Sequence, residues 1–140
     1  MGVRGLVIGS CALALFVTAA AEAAETPEDA AQASAESWLK LVDQGNYAAS
    51  WDAAAKLFKG AVKQADWVQM AAGVRTPLGK VLSRKPKLRQ STERVPGAPD
   101  GKYVVIQYDT VFENKASAVE TITPMADPDG AWRVSGYFIK

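Results

Sequence analysis

The spacing of apolar residues changes at Gly79, and this change constrains the fold more than any other feature of the chain. Before Gly79, apolar residues recur every three or four positions, which is the period of an amphipathic helix. After Gly79, they alternate with polar residues, as they do in a half-buried strand. Short turn clusters separate the alternating segments, and short connections join antiparallel neighbours. The sequence therefore predicts an α+β fold in which helices cover one face of an antiparallel sheet.

Three helices are predicted in the first part of the chain. The first begins at Thr26, whose side chain can cap free N–H groups, with Pro27 as its first helical residue, and it ends at Gly45. Its apolar face contains Ala31, Ala35, Trp38, Leu39 and Val42. The second helix begins at Asn46 and continues to a break or bend at Gly60. Its apolar face contains Tyr47, Trp51, Ala54, Ala55 and Phe58.

The third helix opens at Asp66 and is closed by Gly73 and Pro77. Its apolar face is formed by Trp67, Met70, Ala71 and Val74. About four strands follow, and they are Lys80–Val95, Tyr103–Phe112, Ala118–Met125 and Trp132–Ile139. Pro86 indicates a bulge or an edge position for the first strand, because proline cannot donate to a central ladder.

The first residues of the chain, Met1–Ala23, are typical of a secretory signal peptide. Arg4 is followed by the uncharged run Gly5–Ala21, and Ala21-Glu22-Ala23 fits the small-x-small cleavage rule. Cleavage near Ala23 leaves 117 of the 140 residues as one α+β domain over 24–140, without a membrane span, in the periplasm or secreted. An N-terminal membrane anchor is the alternative, because the uncharged run of 17 residues is just long enough to span a bilayer.

The composition excludes several kinds of active site. The chain has no histidine, and its one cysteine, Cys11, lies in the signal segment. Serine–histidine–aspartate triads, thiol nucleophiles and thiolate or imidazole metal sites are therefore excluded from the mature chain. A net charge of +1 argues against binding nucleic acid through bulk electrostatics. We expect no metal and no cofactor, and acid–base chemistry would depend on carboxylates, tyrosine or lysine.

Several motifs occur in a fixed order along the mature chain. They are Trp38-Leu39-x-Leu41-Val42-Asp43-x-Gly45-x-Tyr47-x-x-Ser50-Trp51, Arg75-x-Pro77-Leu78-Gly79-x-Val81-x-Ser83-Arg84, Pro96-Gly97-x-Pro99-x-Gly101-x-Tyr103, Glu120-Thr121 and Trp132-Arg133-Val134-x-Gly136-Tyr137. Through these motifs the chain resembles, from about Ala30 to Lys140, the bacterial domain-of-unknown-function 4019 family.

The resemblance implies an exported protein without an established activity. The helix–sheet order of that family is similar to the cystatin-like and nuclear-transport-factor-2-like folds. In the latter, a curved sheet wraps the helices into a cone that can hold a ligand, so we expect a cone-like form of the α+β fold. Some members of that superfamily are isomerases or dehydratases, whereas many only bind or dimerise.

Five aromatic residues could line a pocket inside such a cone, because large rings with polar tips are typical of ligand pockets. They are Tyr47, Trp51, Tyr108, Trp132 and Tyr137. The favoured alternative is that Trp38, Trp51 and Trp132 belong to the core, since they lie on stripes that must be buried in any case.

Two arginines and two carboxylates are further candidates. Arg75 and Arg84 could bind an anionic group, but a structural role, as a buried ion pair with Glu120 or as a tie between the third helix and the sheet, is favoured. Asp109 and Glu120 could act together in acid–base catalysis. Solvated carboxylates are the favoured interpretation of this second pair.

The first strand is strongly basic, with six positive charges in fifteen residues opposed by Glu93 alone. The positive residues are Lys80, Arg84, Lys85, Lys87, Arg89 and Arg94. They could form a docking face for an acidic partner or anionic polymer of the envelope, or for lipid headgroups. The favoured alternative is an edge strand that its charges and Pro86 protect against aggregation.

We therefore expect a non-catalytic binding or interaction module of the bacterial envelope, for a small amphipathic ligand or an envelope partner. The candidate ligand-binding residues are Tyr47, Trp51, Arg75, Arg84, Tyr108, Glu120 and Tyr137. One alternative is an isomerase or hydratase that uses a carboxylate base and a tyrosine oxyanion donor. A second is a structural homodimer built on the exposed sheet face, through Gln107, Asp109, Arg133 and Ser135.

Overall fold

The helix–sheet order predicted from the apolar periods is confirmed by a computed structural model, which describes residues 25–140. Over this range the chain is α+β, with four helices and an open four-stranded antiparallel sheet. The helices are α1 (Pro27–Asp43), α2 (Tyr47–Asp52), α3 (Lys56–Ala61) and α4 (Gln64–Leu78). The strands are β1 (Val81–Thr92), β2 (Tyr103–Phe112), β3 (Lys115–Ala126) and β4 (Trp132–Ile139). The predicted signal segment lies outside the described residues.

The first predicted helix is confirmed together with its cap. The Thr26 hydroxyl accepts a hydrogen bond from the Asp29 N–H at 3.1 Å, and the Asp29 carboxylate accepts one from the Thr26 N–H at 3.2 Å. This reciprocal capping satisfies two N–H groups that would otherwise be free. The five predicted apolar residues of α1 are all buried. Gly45, at φ +76°, follows the helix and turns the chain toward α2.

The second predicted helix is wrong as a continuous element, because the chain leaves the helical path between α2 and α3. At this break the Ala55 N–H donates a 2.8 Å hydrogen bond to the Val134 carbonyl of β4. The Ala55 N–H therefore bonds to the sheet instead of to a carbonyl of the preceding helical turn. The described chain has four helices where three were expected. Asn46 makes no side-chain hydrogen bond as a cap.

The third predicted helix, α4, is longer than expected at both ends. It begins two residues before Asp66, and Gly73 lies in its middle rather than at its end. A glycine inside a helix costs only about 1 kcal/mol relative to alanine, so it does not by itself stop one. Pro77 is accommodated in the last turn, and the helix ends at Gly79, which has φ +75°.

The sheet has the order β1-β2-β3-β4, so β1 and β4 form its two edges. The edge position of the basic strand is confirmed, as is the irregularity at its proline, since the register shifts between Pro86 and Leu88. On β2 the predicted alternation is also confirmed. Its helix-facing side chains are buried, and they are Val104, Ile106, Tyr108, Thr110 and Phe112.

The space between helices and sheet is packed with aromatic and aliphatic side chains. The ring centroids of Trp38 and Trp67 are 5.7 Å apart, and those of Phe58 and Trp67 are 5.0 Å apart. Ile106 and Ile122 of the sheet belong to the same core cluster as these rings. The space between helices and sheet is thus filled rather than open, and Trp38 belongs to the core as the favoured alternative predicts. None of the helices in residues 25–140 is long and apolar enough to cross a membrane.

Candidate functional site

A buried ion pair joins two strands that are not neighbours in the sheet. Arg84 on β1 donates from Nε to Glu120 Oε1 on β3 at 2.7 Å, and from Nη2 to Oε2 at 3.2 Å. Glu120 is completely buried, and the Arg84 side chain is 16% exposed. The alternative in which an arginine forms a buried ion pair with Glu120 is therefore what the structure shows.

Asp43, the last residue of α1, extends this pair into a chain of four charges. Its carboxylate accepts hydrogen bonds from Arg75 Nη2 at 2.7 Å and from Arg84 Nη1 at 2.8 Å. Two cations thus alternate with two anions in the order Arg75, Asp43, Arg84, Glu120, which we call the ion-pair network. Arg75 ties α4 to α1 through Asp43, and its guanidinium carbon lies 5.1 Å from the ring centroid of Phe112 on β2.

Asp43 is part of the first motif but is not among the candidate site residues predicted from the sequence. Its position at the end of a helix is a signal that could have identified it. A carboxylate at the C-terminal end of a helix is unfavourable, because the helix dipole places partial negative charge there. An acid at that position is therefore a candidate for pairing with a nearby cation. The distant arginines that hold it follow α1 by more than 30 positions, and the sequence alone does not show that they return to this point.

Every acceptor position of Glu120 is occupied by a protein donor. Besides the two bonds from Arg84, Oε1 accepts a 2.6 Å hydrogen bond from the Thr110 hydroxyl. Oε2 also accepts a short hydrogen bond from the Tyr137 hydroxyl. A carboxylate offers about four lone-pair positions, so none is left for a substrate proton. This geometry gives no support to Glu120 as a catalytic base.

The two candidate carboxylates lie on opposite faces of the sheet. In the β2–β3 register Glu120 faces Tyr108 on the helix side, whereas Asp109 faces Val119 on the outer side. Asp109 is exposed and forms a 3.4 Å ion pair with Lys87. The expectation of solvated carboxylates therefore holds for Asp109 and is wrong for Glu120, and the two do not form a catalytic pair.

Burial and hydrogen bonding lower the pKa of Asp43 and raise the pKa values of Arg84 and Tyr137. Burial alone would raise the pKa of Asp43, but the hydrogen bonds from Arg84 and Arg75 outweigh it and hold the pKa below its usual value. The pKa of Arg84 is raised, because its hydrogen bonds to two carboxylates outweigh the effect of burial. Burial and the neighbouring Glu120 carboxylate raise the pKa of Tyr137.

Arg75 is the one member of the network whose hydrogen bonding is incomplete. Its side chain is 5% exposed, yet Nε and Nη1 have no hydrogen-bond partner among residues 25–140. A buried donor without an acceptor costs about 1–3 kcal/mol. The contact with the Phe112 ring compensates part of this cost, since an aromatic face attracts a guanidinium.

Arg75 and Tyr137 also line an apolar groove of about 540 Å³ between α4 and the edge strand β4. We call it the α4–β4 groove. Its walls include Met70, Val74 and Phe138, and each of these three residues keeps about half of its surface exposed. Met70 and Val74 were predicted to lie on the buried face of their helix. Among the described residues that line the groove, there is no acidic side chain.

The five candidate aromatic residues do not surround one pocket. Tyr108 is fully buried in the core, whereas Tyr47 and Trp51 are partly buried and pack against the core from α2. Trp132 lines a different, more polar depression beside the start of α1. Tyr137 alone faces the α4–β4 groove, and its ring lies 5.2 Å from that of Trp38.

Most of the positive charges on β1 are paired within the protein. Arg84 belongs to the ion-pair network, Arg89 pairs with Asp29 at 2.9 Å, and Lys87 pairs with Asp109. Further along the chain, Arg94 approaches Asp100 at 3.8 Å. The remaining cations of the candidate docking set are Lys80 and Lys85. This arrangement favours a protected edge strand over a continuous basic docking face.

The comparisons with known proteins agree with the motif resemblance. Residues 34–137 match a family model described as "Protein of unknown function (DUF4019)". The match covers most of the described chain, including the ion-pair network and the α4 side of the α4–β4 groove, and it ends at Tyr137, before Phe138. A search of curated proteins gives no match.

Proposed function

The chain belongs to the DUF4019 family of proteins of unknown function, and on this premise we propose that it is a non-catalytic binding module for a small amphipathic ligand. The α4–β4 groove is the proposed binding site. The observation that carries this proposal is the half-exposed apolar wall of Met70, Val74 and Phe138 beside a buried arginine. We further propose that the protein works in the bacterial envelope after removal of its signal segment.

The chemistry of the groove supports binding rather than catalysis. Small-ligand sites are mainly apolar, with a few polar groups that fix orientation, and this groove combines apolar walls with Arg75 and Tyr137. The Tyr137 hydroxyl donates to Glu120, and Glu120 has no free acceptor position. Neither group is therefore available to move a proton on a bound molecule.

Quenching of tryptophan fluorescence by brominated decyl probes tests the proposal, because Trp67 lies in the groove wall. We expect ω-bromodecanol or ω-bromodecanoate to give saturable quenching with the wild-type protein. The Val74→Glu variant places a carboxylate in the apolar wall, so we expect its affinity for both probes to fall about tenfold or more.

Leu82→Glu is the matched control for this experiment. Leu82 is 65% exposed on β1, at the opposite edge of the sheet from the groove. The same chemical change at this position should leave probe binding unchanged. The proposal would be overturned if neither probe gave saturable quenching. It would also be overturned if Val74→Glu and Leu82→Glu lost probe affinity equally.

A further inference from the structure

We propose that Arg75 binds the carboxylate of a single-chain fatty acid whose alkyl chain lies in the α4–β4 groove. This inference rests on the proposed function and adds to it the class of ligand. It follows from three observations about the groove: the unpaired donors of Arg75, the distribution of charge, and the apolar wall beside the guanidinium.

The unpaired donors are the first observation. Arg75 offers five N–H groups, of which Nη2 donates to Asp43 while Nε and Nη1 find no acceptor within residues 25–140. The other members of the network are engaged, since Glu120 accepts from three different side chains. An external anion would therefore supply an acceptor that the described part of the protein does not.

The distribution of charge is the second observation. The network as a whole is balanced, since Asp43 and Glu120 match Arg75 and Arg84, but of these four residues only Arg75 lines the groove. Since Arg75 is charged and no acid lines the groove among residues 25–140, the lining favours a negative head group over a positive one.

The apolar wall is the third observation, and it distinguishes a fatty acid from a free inorganic anion. Met70, Val74 and Phe138 each expose about half of their surface in the groove that Arg75 also lines. An alkyl chain would cover this surface, and each buried methylene group adds to the affinity. Carboxylates suit guanidinium donors well, because hydrogen bonds between charged partners are short and strong.

Access to the guanidinium requires a small rearrangement. The unpaired nitrogens are covered from solvent, so a carboxylate reaches them only when the atoms that cover them move aside. Met70 has a flexible side chain that is half exposed, and it can take another rotamer without leaving the groove.

Comparison of ω-bromodecanoate with ω-bromodecanol at pH 7 tests the inference, because the two probes differ only at the head group. We expect the wild-type protein to bind ω-bromodecanoate about tenfold or more tightly than ω-bromodecanol. The reason is that a hydrogen bond from Arg75 to a charged carboxylate is stronger than one to a neutral hydroxyl. In Arg75→Met we expect this preference to disappear, whereas affinity for the alcohol should change far less. Arg84 remains as a partner for Asp43 in that variant, and retained alcohol binding shows that the groove is intact.

The outcomes separate this inference from the proposed function. Equal affinity of the wild-type protein for both probes would overturn the inference and leave the proposed function standing. Binding of neither probe would overturn both. A loss of affinity for both probes in Arg75→Met would show that Arg75 acts on the groove structurally, and it would also overturn the inference. Displacement of bound ω-bromodecanoate by an equal concentration of inorganic phosphate, which has no alkyl chain, would contradict a fatty acid as the ligand.

Discussion

Arg84 and Glu120 form a bidentate ion pair across the strand that separates them. They lie on β1 and β3, and Thr110 of β2, which faces Arg84 in the register, donates its hydroxyl to the same carboxylate. Three strands are thereby joined by side chains in addition to their backbone ladders. Removing both charges from water is costly, and the pair is tolerated only because each group is almost fully hydrogen-bonded.

Replacement of Glu120 by glutamine should therefore destabilise the fold strongly. The substitution keeps the shape of the side chain but leaves Arg84 with only Asp43 as a counter-charge. We expect a loss of about 3 kcal/mol in the free energy of unfolding, measured by urea denaturation at pH 7. Asp109→Asn is the control, because its carboxylate is exposed, and it should change stability by about 0.5 kcal/mol or less. Equal effects of the two substitutions would contradict a structural role for the buried pair.

The contribution of Asp43 to stability should depend on pH. Its pKa is lowered in the folded protein, so the folded state favours the charged carboxylate. The resulting stabilisation is present above the unfolded-state pKa of about 3.9 and is lost as the pH falls through the folded-state pKa. We expect Asp43→Asn to be clearly less stable than wild type at pH 7. The difference should shrink as the pH is lowered below about 4.

Urea denaturation of both proteins at a series of pH values measures this effect. Asp109→Asn again serves as the reference, since any general effect of removing one negative charge appears in that variant as well. A difference between Asp43→Asn and wild type that stays constant from neutral to acidic pH would show that the carboxylate charge does not contribute.

The sequence predicts those parts of the fold in which local pattern and tertiary packing agree. On β2 the alternation from Val104 to Phe112 matches the buried face, and Thr26 caps α1 as expected. The pattern fails where a long-range contact overrides it. The helical spacing from Tyr47 to Phe58 continues through the break at which the Ala55 N–H donates to β4.

The candidate site is less predictable, because it depends on which apolar residues stay uncovered. Trp67 and Ala71 are buried on α4, but Met70 and Val74 on the same apolar stripe remain half exposed. The apolar stripe of α4 is therefore only partly covered by the sheet and the other helices. The spacing of apolar residues does not show which part of the stripe stays uncovered. Arg75 was identified from the sequence, whereas its unpaired donors became visible only once its neighbours were placed.

Ser50 should be important for the core despite its small size. It is completely buried, and its hydroxyl accepts a 2.9 Å hydrogen bond from Trp67 Nε1. Ser50→Ala leaves this indole donor without its acceptor, so we expect a loss of about 1–3 kcal/mol in the free energy of unfolding. Ser117→Ala, at an exposed position of β3, is the matched control and should have little effect. Similar urea midpoints for the two variants would contradict this role of the hydroxyl.

Two glycines, one inside α4 and one just after it, should respond in opposite directions to replacement by alanine. Gly79 has φ +75° and ψ −160°, a region that only glycine adopts easily, and a Cβ atom there would lie 2.9 Å from the Glu113 Cβ. Glu113 cannot easily move away, because its carboxylate accepts a 2.6 Å hydrogen bond from the Lys80 N–H. We therefore expect Gly79→Ala to cost about 2 kcal/mol or more in the free energy of unfolding.

Gly73, in contrast, lies within α4, and a Cβ atom added there would meet open space, with no neighbouring atom within 4 Å. Alanine lowers the backbone entropy of the unfolded chain and is the better helix former, so Gly73→Ala should stabilise the protein by about 0.5–1 kcal/mol. Thermal and urea denaturation of both variants measures the two changes against the same wild type. The added methyl group is identical in the two variants, and only the backbone conformation and the available space differ. A change of the same sign in the free energy of unfolding of both variants would therefore contradict a determining role for the backbone conformation at Gly79.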